Sequence, residues 1–263
     1  MFREREFSPD VSLYVVDHRQ AEHFKKLFAV FGKIGLQHTD FRHVSFGTVM
    51  GPDGKPYKTR SGSVVGLESM LDEAVARAME VACDPNRLQV SGIELDDTEK
   101  KQIAETVGIG AIKYADLCHN RTSDYIFDMD KMVRLEGNTS AYIQYSYARI
   151  RSIFRRGDQK GWGKEVWEIA PLRLIEPTEV SLALHLVRFE EVLQQSLVDY
   201  TPNLITEYLY ELAKLFSSFY DQCSVLNADT QSEAYSRLKL SWIVAETLKC
   251  GLKLLGIGVV ERM

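Results

Sequence analysis

Apolar and polar positions repeat with two different periods in the first third of the chain. The runs Ser12–Val16 and His43–Met50 are rich in β-branched residues, which predicts two buried strands. Asp17–Gly32 and Val65–Cys83 instead repeat their apolar residues at helical spacing, which predicts a helix after each strand. Two strands cannot bury both faces of a sheet by themselves. The segment therefore predicts part of a larger, doubly wound α/β domain.

Beyond about Glu99 the pattern is almost wholly helical. Apolar residues recur at helical spacing in the stretches Glu99–Leu117, Asp128–Arg156, Glu179–Asp199, Pro202–Phe219 and Thr230–Leu255. The polar, turn-rich segment Asp84–Thr98 separates these stretches from the α/β part. We therefore expect a mainly α protein, in which a partial α/β segment over residues 1–83 and a linker over 84–98 precede a helical bundle over 99–263.

The run Asp128–Arg156 presents two different helical faces. One is an apolar stripe that predicts the core side of a helix, namely Ile143, Tyr147, Ile150 and Phe154. A neighbouring face carries aromatic rings beside guanidinium groups, namely Tyr142, Tyr145, Arg149 and Arg156. Such faces stack unpaired bases and bind phosphates, and they also occur where the rim of a core meets a solvated surface. The pattern alone leaves both interpretations open.

Basic residues concentrate in and around this two-faced run. The whole chain has a net charge of −5 and a pI near 5.8, which argues against indiscriminate nucleic-acid binding. Lys131–Lys164 nevertheless contains eight basic and two acidic residues, a local charge of +6 that leaves −11 for the remainder. A basic stripe on an acidic body favours a nucleic acid bound at one place, and it also suits an acidic protein partner.

Composition and the first residues restrict the class of protein. With 45% hydrophobic and 26% charged residues the chain is of ordinary globular composition, and no apolar run approaches the ~18–20 residues of a membrane span. The opening MFREREFSPD is charged, so we expect no secretory signal and a cytoplasmic protein. The four cysteines are far apart and none of the six histidines stands in a zinc-binding pattern. We therefore expect reduced thiols, no metal, and neither a membrane nor DNA as a partner.

A loop rich in glycine after the second strand offers candidate chemistry. Within Gly51–Gly62 lie three cations, Lys55, Lys58 and Arg60. Cations on such a loop can neutralise the charge that develops on a triphosphate as it is cleaved, and the same residues also occur in turns without any chemical role. The loop lacks the spacing and the Ser/Thr of a P-loop, and the chain has no dinucleotide-binding fingerprint and no Gly-x-Ser-x-Gly elbow.

Several long motifs, in order along the chain, resemble those of a known family. The chain is similar to the C-terminal part of arginyl-tRNA synthetases, class I enzymes that join arginine to its tRNA. The resemblance covers nearly the whole chain and implies the end of a Rossmann-like catalytic domain followed by a helical anticodon-binding domain. The motifs are YVVDHRQAEHF (Tyr14–Phe24), HVSFGTVMGPDGKPYKTRSG (His43–Gly62), LDEA (Leu71–Ala74), VGIGAIKYADL (Val107–Leu117), NRTSDYIFDMDKMVRLEGNTSAYIQYSYARIRSIFRR (Asn120–Arg156) and LGIGVVERM (Leu255–Met263).

The resemblance implies roles at a nucleotide site. KPYKTRSG stands where class I synthetases carry a flexible nucleotide-binding loop, which makes Lys58 and Arg60 candidates for phosphate contacts during adenylate formation. Gln20 matches a glutamine that contacts the substrate arginine. The residues implied near the adenine are His43, Phe46 and Gly47. ATP, with Mg in the full enzyme, is then a substrate, and no tightly bound cofactor is expected.

The resemblance also implies a site for tRNA-Arg. The tyrosine-rich helix and the end of the chain approach the anticodon loop in the family. Tyr142, Tyr145, Arg149 and the terminal Met263 are therefore expected to contact the anticodon, and Arg156 is expected to contact phosphate.

Part of the family's pattern is missing from this sequence. The chain has no His-x-Gly-His signature, and the family's arginine-binding helix is not found in it. We therefore expect that the chain alone makes no arginyl-adenylate. The resemblance makes it a C-terminal fragment of the enzyme, either a truncated product or one half of a split enzyme with the missing N-terminal half as a candidate partner. Two alternatives stay open: a stand-alone RNA-binding or regulatory module without catalysis, and a module that binds an acidic protein.

Overall fold

A short parallel sheet opens the structure. The computed structural model describes residues 2–36, 38–51, 53–55, 66–85, 88–89 and 94–263. After helix α1 (Phe2–Phe7), strand β1 (Val11–Asp17) pairs in parallel with strand β2 (Asp40–Phe46), and helix α2 (Ala21–Lys33) connects the two strands. Because parallel neighbours need such a crossover, the structure confirms the predicted succession of strand, helix and strand.

Aromatic side chains fill one face of this α/β unit. The ring centres of Tyr14 on β1 and Phe41 on β2 lie 5.4 Å and 5.8 Å from that of Phe28 on α2. On the opposite face Leu13 and Val15 are exposed, Val15 at 63%. The unit thus covers one side of its two strands and leaves the other open, which fits part of a larger sheet.

The prediction of one strand over His43–Met50 is wrong. β2 ends earlier, and the chain continues into a separate strand β3 (Val49–Met50), which pairs in parallel with β4 (Tyr125–Ile126). Between them, the backbone N–H of Gly47 donates to the carbonyl oxygen of Arg121 at 2.7 Å. A contact with a segment far along the chain therefore ends β2.

Helices α3 (Leu67–Ala82) and α4 (Asp97–Leu117) pack closely along each other. A Cβ atom on Gly108 would lie 2.7 Å from the carbonyl carbon of Ala74, so only a glycine allows this approach. The glycine in the middle of α4, which weakens the helix by propensity, thus permits its packing. Helix α3 ends before the predicted linker 84–98 and α4 begins within it, at Asp97. The place of this segment as a domain boundary stays a prediction.

The remaining helices form a bundle. They are α5 (Met129–Met132), α6 (Ser140–Gln159), α7 (Lys164–Trp167), α8 (Pro177–Leu186), α9 (Phe189–Asp199), α10 (Asn203–Gln222) and α11 (Gln231–Leu254). The apolar stripes of α6, α10 and α11 meet in the main core, where Ile143, Leu212 and Leu238 are fully buried. The predicted mainly α fold, a partial α/β segment followed by a helical bundle, is confirmed. None of the described helices is long and apolar enough to cross a membrane.

The run Asp128–Arg156 is not one continuous helix. Its first turn is the short α5, and the chain becomes helical again only at Ser140. Between the two, Gly137 adopts a left-handed φ of +72°, which interrupts the helical path. Both faces identified in the sequence lie on α6.

The predicted helix Glu179–Asp199 is also two helices, α8 and α9, which are separated at Val187–Arg188. The hydroxyl of Tyr208 on α10 donates to the carbonyl oxygen of His185 at 3.1 Å, and the His185 ring stacks on that of Tyr208. This contact competes with the helical hydrogen bond that the same carbonyl would otherwise accept. The break therefore has a tertiary cause that the local pattern does not contain.

Candidate nucleic-acid interface

The loop before α6 fixes where its aromatic face begins. Oγ1 of Thr139 accepts a hydrogen bond from the N–H of Tyr142 at 3.1 Å and donates to the carbonyl oxygen of Arg134 at 2.6 Å. The buried Tyr114 of α4 lies with its hydroxyl 2.6 Å from Oδ1 of Asn138. These contacts hold the loop against α4, so α6 starts in a defined orientation.

Tyr142 lies between the core and the surface. It is half-buried, and its ring meets that of Tyr210 on α10 nearly edge to face, with 5.8 Å between the ring centres. Burial raises the pKa of Tyr142, and the neighbouring Tyr210 raises it further, whereas the positive charges of Arg149 and Lys214 partly offset both. The ring is therefore neutral, with part of it at the surface next to two cations.

Arg149 is held against α10. Its guanidinium group lies 4.2 Å from the centre of the Tyr220 ring, a cation–π contact. Its two terminal nitrogens approach Oγ of Ser217 and Oδ1 of Asp221, each at 3.5 Å. These two distances are at the long end of hydrogen bonding, but Arg149 and Asp221 also form an ion pair. Tyr220 and Asp221 thus orient the guanidinium group together.

Sequence reasoning missed the contribution of α10. Lys214 lies with Nζ 5.5 Å from the centre of the Tyr210 ring and 2.9 Å from a carboxylate oxygen of Glu211. The sequence does contain a pattern that indicates this face, because polar residues repeat along α10 at spacings of four, three and four beside the apolar stripe. These polar residues are Tyr210, Lys214, Ser217 and Asp221. The shared face is called here the α6–α10 surface; its members are Tyr142, Arg149, Tyr210, Lys214 and Tyr220.

Tyr145 and Arg156 are placed differently from the other two predicted residues. Tyr145 is half-buried and packs against a buried apolar cluster that includes Ala141, Ala148 and Met263. Arg156 is exposed, and its Nη2 lies 3.2 Å from Oγ of Ser152 one turn earlier. The structure thus brings Tyr142 and Arg149 together with α10, while Tyr145 lies on the neighbouring cluster and Arg156 extends into solvent.

The basic residues of Lys131–Lys164 do not form a single stripe. Nε of Arg151 donates to Oε2 of Glu261 at 2.6 Å, and Nη1 of Arg155 donates to the carbonyl oxygen of Glu261 at 2.9 Å. These two arginines therefore face the end of the chain rather than the α6–α10 surface. Of the arginines of α6, Arg149 and Arg156 are the two that lie on the side that carries Tyr142.

The last seven residues, Ile257–Met263, form an extended segment named here the C-terminal strap. Met263 is only 4% exposed and lies in the same cluster as Tyr145, so it supports α6 from within and does not offer a free apolar surface. Burial raises the pKa of the Glu261 carboxyl, but hydrogen bonds from Arg151 and Tyr147 outweigh it and hold that pKa below its usual value. The strap is thereby fixed along α6.

Most residues expected near ATP and arginine lie at the carboxyl ends of the two parallel strands, while His43 lies in the middle of β2. Gln20 is exposed and ends the 3₁₀ turn that follows β1, while Phe46, 41% exposed, ends β2. Nε2 of His43 lies 3.0 Å from the carbonyl oxygen of Val16, and its ring stacks on Phe24 with 4.9 Å between the centres. Because open α/β sheets bind ligands at these strand ends, the placement suits a nucleotide site.

Gly47 occupies a position where no side chain fits. A Cβ atom there would lie 2.5 Å from the carbonyl oxygen of Ser123. This close approach keeps the backbone after β2 against the loop that follows α4. The cationic pair predicted to contact phosphate, Lys58 and Arg60, lies outside the described residues, so its place in this site stays a prediction.

The described parts of the chain offer no group of three or more His, Cys, Asp or Glu residues that could hold a metal ion. Three cysteines, Cys118, Cys223 and Cys250, are thiols outside any disulfide.

Two family models match the chain and together cover most of it. Residues 1–129 match the model described as tRNA synthetases class I (R), catalytic domain. Residues 143–263 match the DALR anticodon binding domain, and this range contains most of α6 and all of α10 and α11. The α6–α10 surface thus lies almost wholly within the second match.

Similar proteins and similar structures carry one activity in their names. The arginine–tRNA ligases of Rhodopirellula baltica and Laribacter hongkongensis are 53% and 46% identical to the whole chain, which covers 40% and 44% of their lengths. The arginyl-tRNA synthetase of Thermus thermophilus superimposes with a TM-score of 0.80 at 27% identity over 97% of this chain and 41% of its own. That of Plasmodium falciparum gives 0.77 at 28% identity over 100% and 43%. The chain spans less than half the length of these relatives.

Proposed function

The chain belongs to the arginyl-tRNA synthetase family, and from this premise we propose that it acts as the C-terminal part of an arginine–tRNA ligase. In this role it binds the anticodon region of tRNA-Arg and supplies the nucleotide-binding loop for ATP-dependent arginylation in the cytoplasm. Residues 1–83 form the end of the catalytic domain, 84–98 a linker, and 99–263 the anticodon-binding domain. Arginylation itself requires this chain together with the rest of a catalytic domain.

The observation that carries the proposal is the α6–α10 surface. Two half-buried rings, Tyr142 and Tyr210, lie beside the cations Arg149 and Lys214. Unpaired bases stack on such rings at roughly 1–3 kcal/mol per base by alanine substitution, and the cations bind the phosphates between the bases. Arg156 adds a phosphate contact along α6. Tyr145 adds a half-buried ring beside this surface, and the buried Met263 supports that ring from the neighbouring cluster.

The nucleotide role rests on the strand ends of the α/β unit. Gln20 follows β1 and contacts arginine, while the adenine lies near His43, Phe46 and Gly47 at the end of β2. Lys58 and Arg60 approach the triphosphate of ATP, which enters with Mg. Positioning and charge stabilisation supply most of the rate in phosphate chemistry, so both sides of the ATP site are required.

A binding titration tests the RNA role on this chain alone. Labelled tRNA-Arg is titrated at increasing salt, and a tRNA of another specificity serves as control. We expect tighter binding of tRNA-Arg and a linear fall of log K with log salt, because phosphate contacts release counterions. Equal affinity for both tRNAs at every salt concentration would contradict the proposal.

A reconstitution assay tests the catalytic part and separates it from a non-catalytic RNA-binding module. The chain alone, with tRNA-Arg present, is expected to give no arginine- and tRNA-dependent ATP–pyrophosphate exchange. Adding the purified N-terminal portion of a close relative is expected to restore arginylation. ATP–pyrophosphate exchange by the chain alone would contradict the proposal that the chain carries only one side of the ATP site. A folded mixture that stays inactive would favour the non-catalytic RNA-binding module.

A further inference from the structure

A polar side chain is enclosed in the middle of α6. Gln144 has no exposed surface, and its Nε2 donates to the carbonyl oxygen of Gly258 in the C-terminal strap at 2.7 Å. The same nitrogen lies 3.4 Å from the carbonyl oxygen of Thr106 on α4. One side chain on the proposed recognition helix therefore ties that helix to both the strap and α4.

The surroundings are shaped around this amide group. A Cβ atom on Gly110 of α4 would lie 3.2 Å from Nε2 of Gln144 and 3.0 Å from Cγ2 of Ile257 at the start of the strap. Oε1 of Gln144 has no hydrogen-bond partner among the described residues. Burying an incompletely paired amide costs free energy, and an apolar side chain would pack here at lower cost. We take this as a reason to look for a role of the hydrogen bond that Gln144 does make.

Apart from the bond of Gln144, the strap has buried apolar side chains, and its ion pairs are partly exposed. Glu261 accepts hydrogen bonds from Tyr147 at 2.9 Å and Arg151 at 2.6 Å, and Arg262 pairs with Glu99 of α4. Solvent and salt screen such ion pairs, whereas the bond from Gln144 is enclosed. The bond from Gln144 lies five residues before Met263 and ahead of the contacts of Glu261 and Arg262, so it fixes the register of the residues that follow.

We propose that Gln144 is a positioning residue for anticodon recognition. Its hydrogen bond to Gly258 sets the strap against α6, so that Met263 seats in the cluster that supports Tyr145. Loss of this bond lets the strap shift, and the tyrosine face of α6 loses the support that orients it toward RNA. The inference rests on the proposed function of this helix and assigns it a residue that makes no contact with RNA.

The first measurement needs no RNA. Gln144→Met keeps the length of the side chain and removes the donor, while Gln159→Met makes the same change at the exposed end of the same helix. The N–H of Ile257, the first strap residue, donates to the carbonyl oxygen of Leu252 at 2.9 Å and serves as the reporter of strap exchange. We expect its amide hydrogen exchange to become about fivefold or more faster in Gln144→Met, with no change in Gln159→Met. Strap exchange equal to that of the unaltered chain would overturn the proposal.

A second variant separates loss of the hydrogen bond from misfolding of the chain. Gln144→Glu cannot donate to Gly258 while its carboxyl group is ionised, and it regains a donor when protonated. Strap protection in this variant is therefore expected to return as the pH falls, relative to the unaltered chain at the same pH. Protection that stays low at every pH in a chain with native circular dichroism would overturn the role of the hydrogen bond.

The second measurement uses RNA. In competition between tRNA-Arg and the same tRNA with altered anticodon bases, Gln144→Met is expected to lose preference for tRNA-Arg and to keep its affinity for the altered tRNA. A variant with a loosened strap and full preference would overturn the inference and leave the proposed function intact. If the unaltered chain itself shows no preference, the proposed function fails and so does the recognition role of Gln144, while strap exchange still shows whether Gln144 holds the strap.

Discussion

The guanidinium group of Arg149 lies 4.2 Å from the centre of the Tyr220 ring, so a cation on α6 is oriented by an aromatic residue on α10. Arg149 could be singled out in the sequence because it stands beside two tyrosines. Tyr220 could not, since nothing in the local pattern of α10 indicates which ring meets which arginine. The pairing makes the recognition surface a property of two helices.

This pairing predicts an effect of Tyr220 on RNA affinity. Tyr220→Leu removes the ring beneath Arg149, and partly exposed cation–π contacts contribute about 0.5–1 kcal/mol. We expect tRNA-Arg to bind about two- to fivefold more weakly by fluorescence titration, with Tyr220→Phe close to the unaltered protein. Equal weakening by Phe and Leu would show that the hydroxyl, and not the ring, matters.

A second prediction concerns the strand end near the nucleotide site. In Gly47→Ala the new methyl group would meet the carbonyl oxygen of Ser123 at 2.5 Å, so the backbone has to move. We expect the opening free energy of β2, measured by hydrogen exchange, to fall by about 1–3 kcal/mol. Gly32→Ala is the control, because nothing lies within 4 Å of a Cβ atom there and α2 gains helix propensity of about 1 kcal/mol at most.

A third prediction follows from a buried ion pair in the bundle. Glu179 is 2% exposed and accepts a hydrogen bond from Nε of Arg237 at 2.7 Å. Burial raises the pKa of the Glu179 carboxyl, but hydrogen bonds from Arg237 and from the backbone N–H groups of Glu176 and Ile175 outweigh it, so the pKa lies below its ordinary value of 4.5. The folded state therefore favours the carboxylate, and this stabilisation is present above pH 4.5 and is lost as the pH falls through the folded pKa.

Substitution of Glu179 tests the direction in which stability changes with pH. Glu179→Gln leaves Arg237 without its charged partner, so the free energy of unfolding near neutral pH should fall by about 3 kcal/mol. The acid loss of stability should also become shallower in urea titrations at a series of pH values. Glu105→Gln, an exposed change on α4, is expected to alter neither quantity. An unchanged acid slope in Glu179→Gln would contradict the assignment.

A fourth prediction concerns the cationic loop. In enzyme reconstituted with the remaining catalytic portion, Lys58→Ala and Arg60→Ala should each slow arginyl-adenylate formation about a hundredfold, since each removes a group that stabilises charge on the triphosphate. The affinity of this chain for tRNA-Arg should stay the same. Lys55→Ala, in the same loop, is the matched control. Normal activation together with weak tRNA binding would show that the loop contacts RNA instead.

Periodicity predicted the parts of the fold that depend on local burial. The strand, helix and strand of the α/β unit and the apolar stripes of α6, α10 and α11 follow from which side of each element must be covered. Ordered motifs such as Asn120–Arg156 predicted the family, because recognising a motif needs no knowledge of the packing.

What the sequence did not reveal depends on contacts between distant segments. The break between α8 and α9 reflects the hydroxyl of Tyr208, and the end of β2 reflects the backbone of Arg121. The burial of Met263 follows from the strap, whose seat is made by three helices that are separate in sequence. A local pattern carries no information on such partners, so these features appear only once the chain is folded.

Competition binding with Tyr142→Ala tests the recognition of the anticodon by the α6–α10 surface most directly. The chain is offered tRNA-Arg and the same tRNA with altered anticodon bases. The unaltered chain should prefer tRNA-Arg, Tyr142→Ala should lose about 1–3 kcal/mol of that preference, and Arg156→Ala should weaken both RNAs equally. If Tyr142→Ala binds tRNA-Arg with full preference, the anticodon lies elsewhere and the account of this surface is wrong.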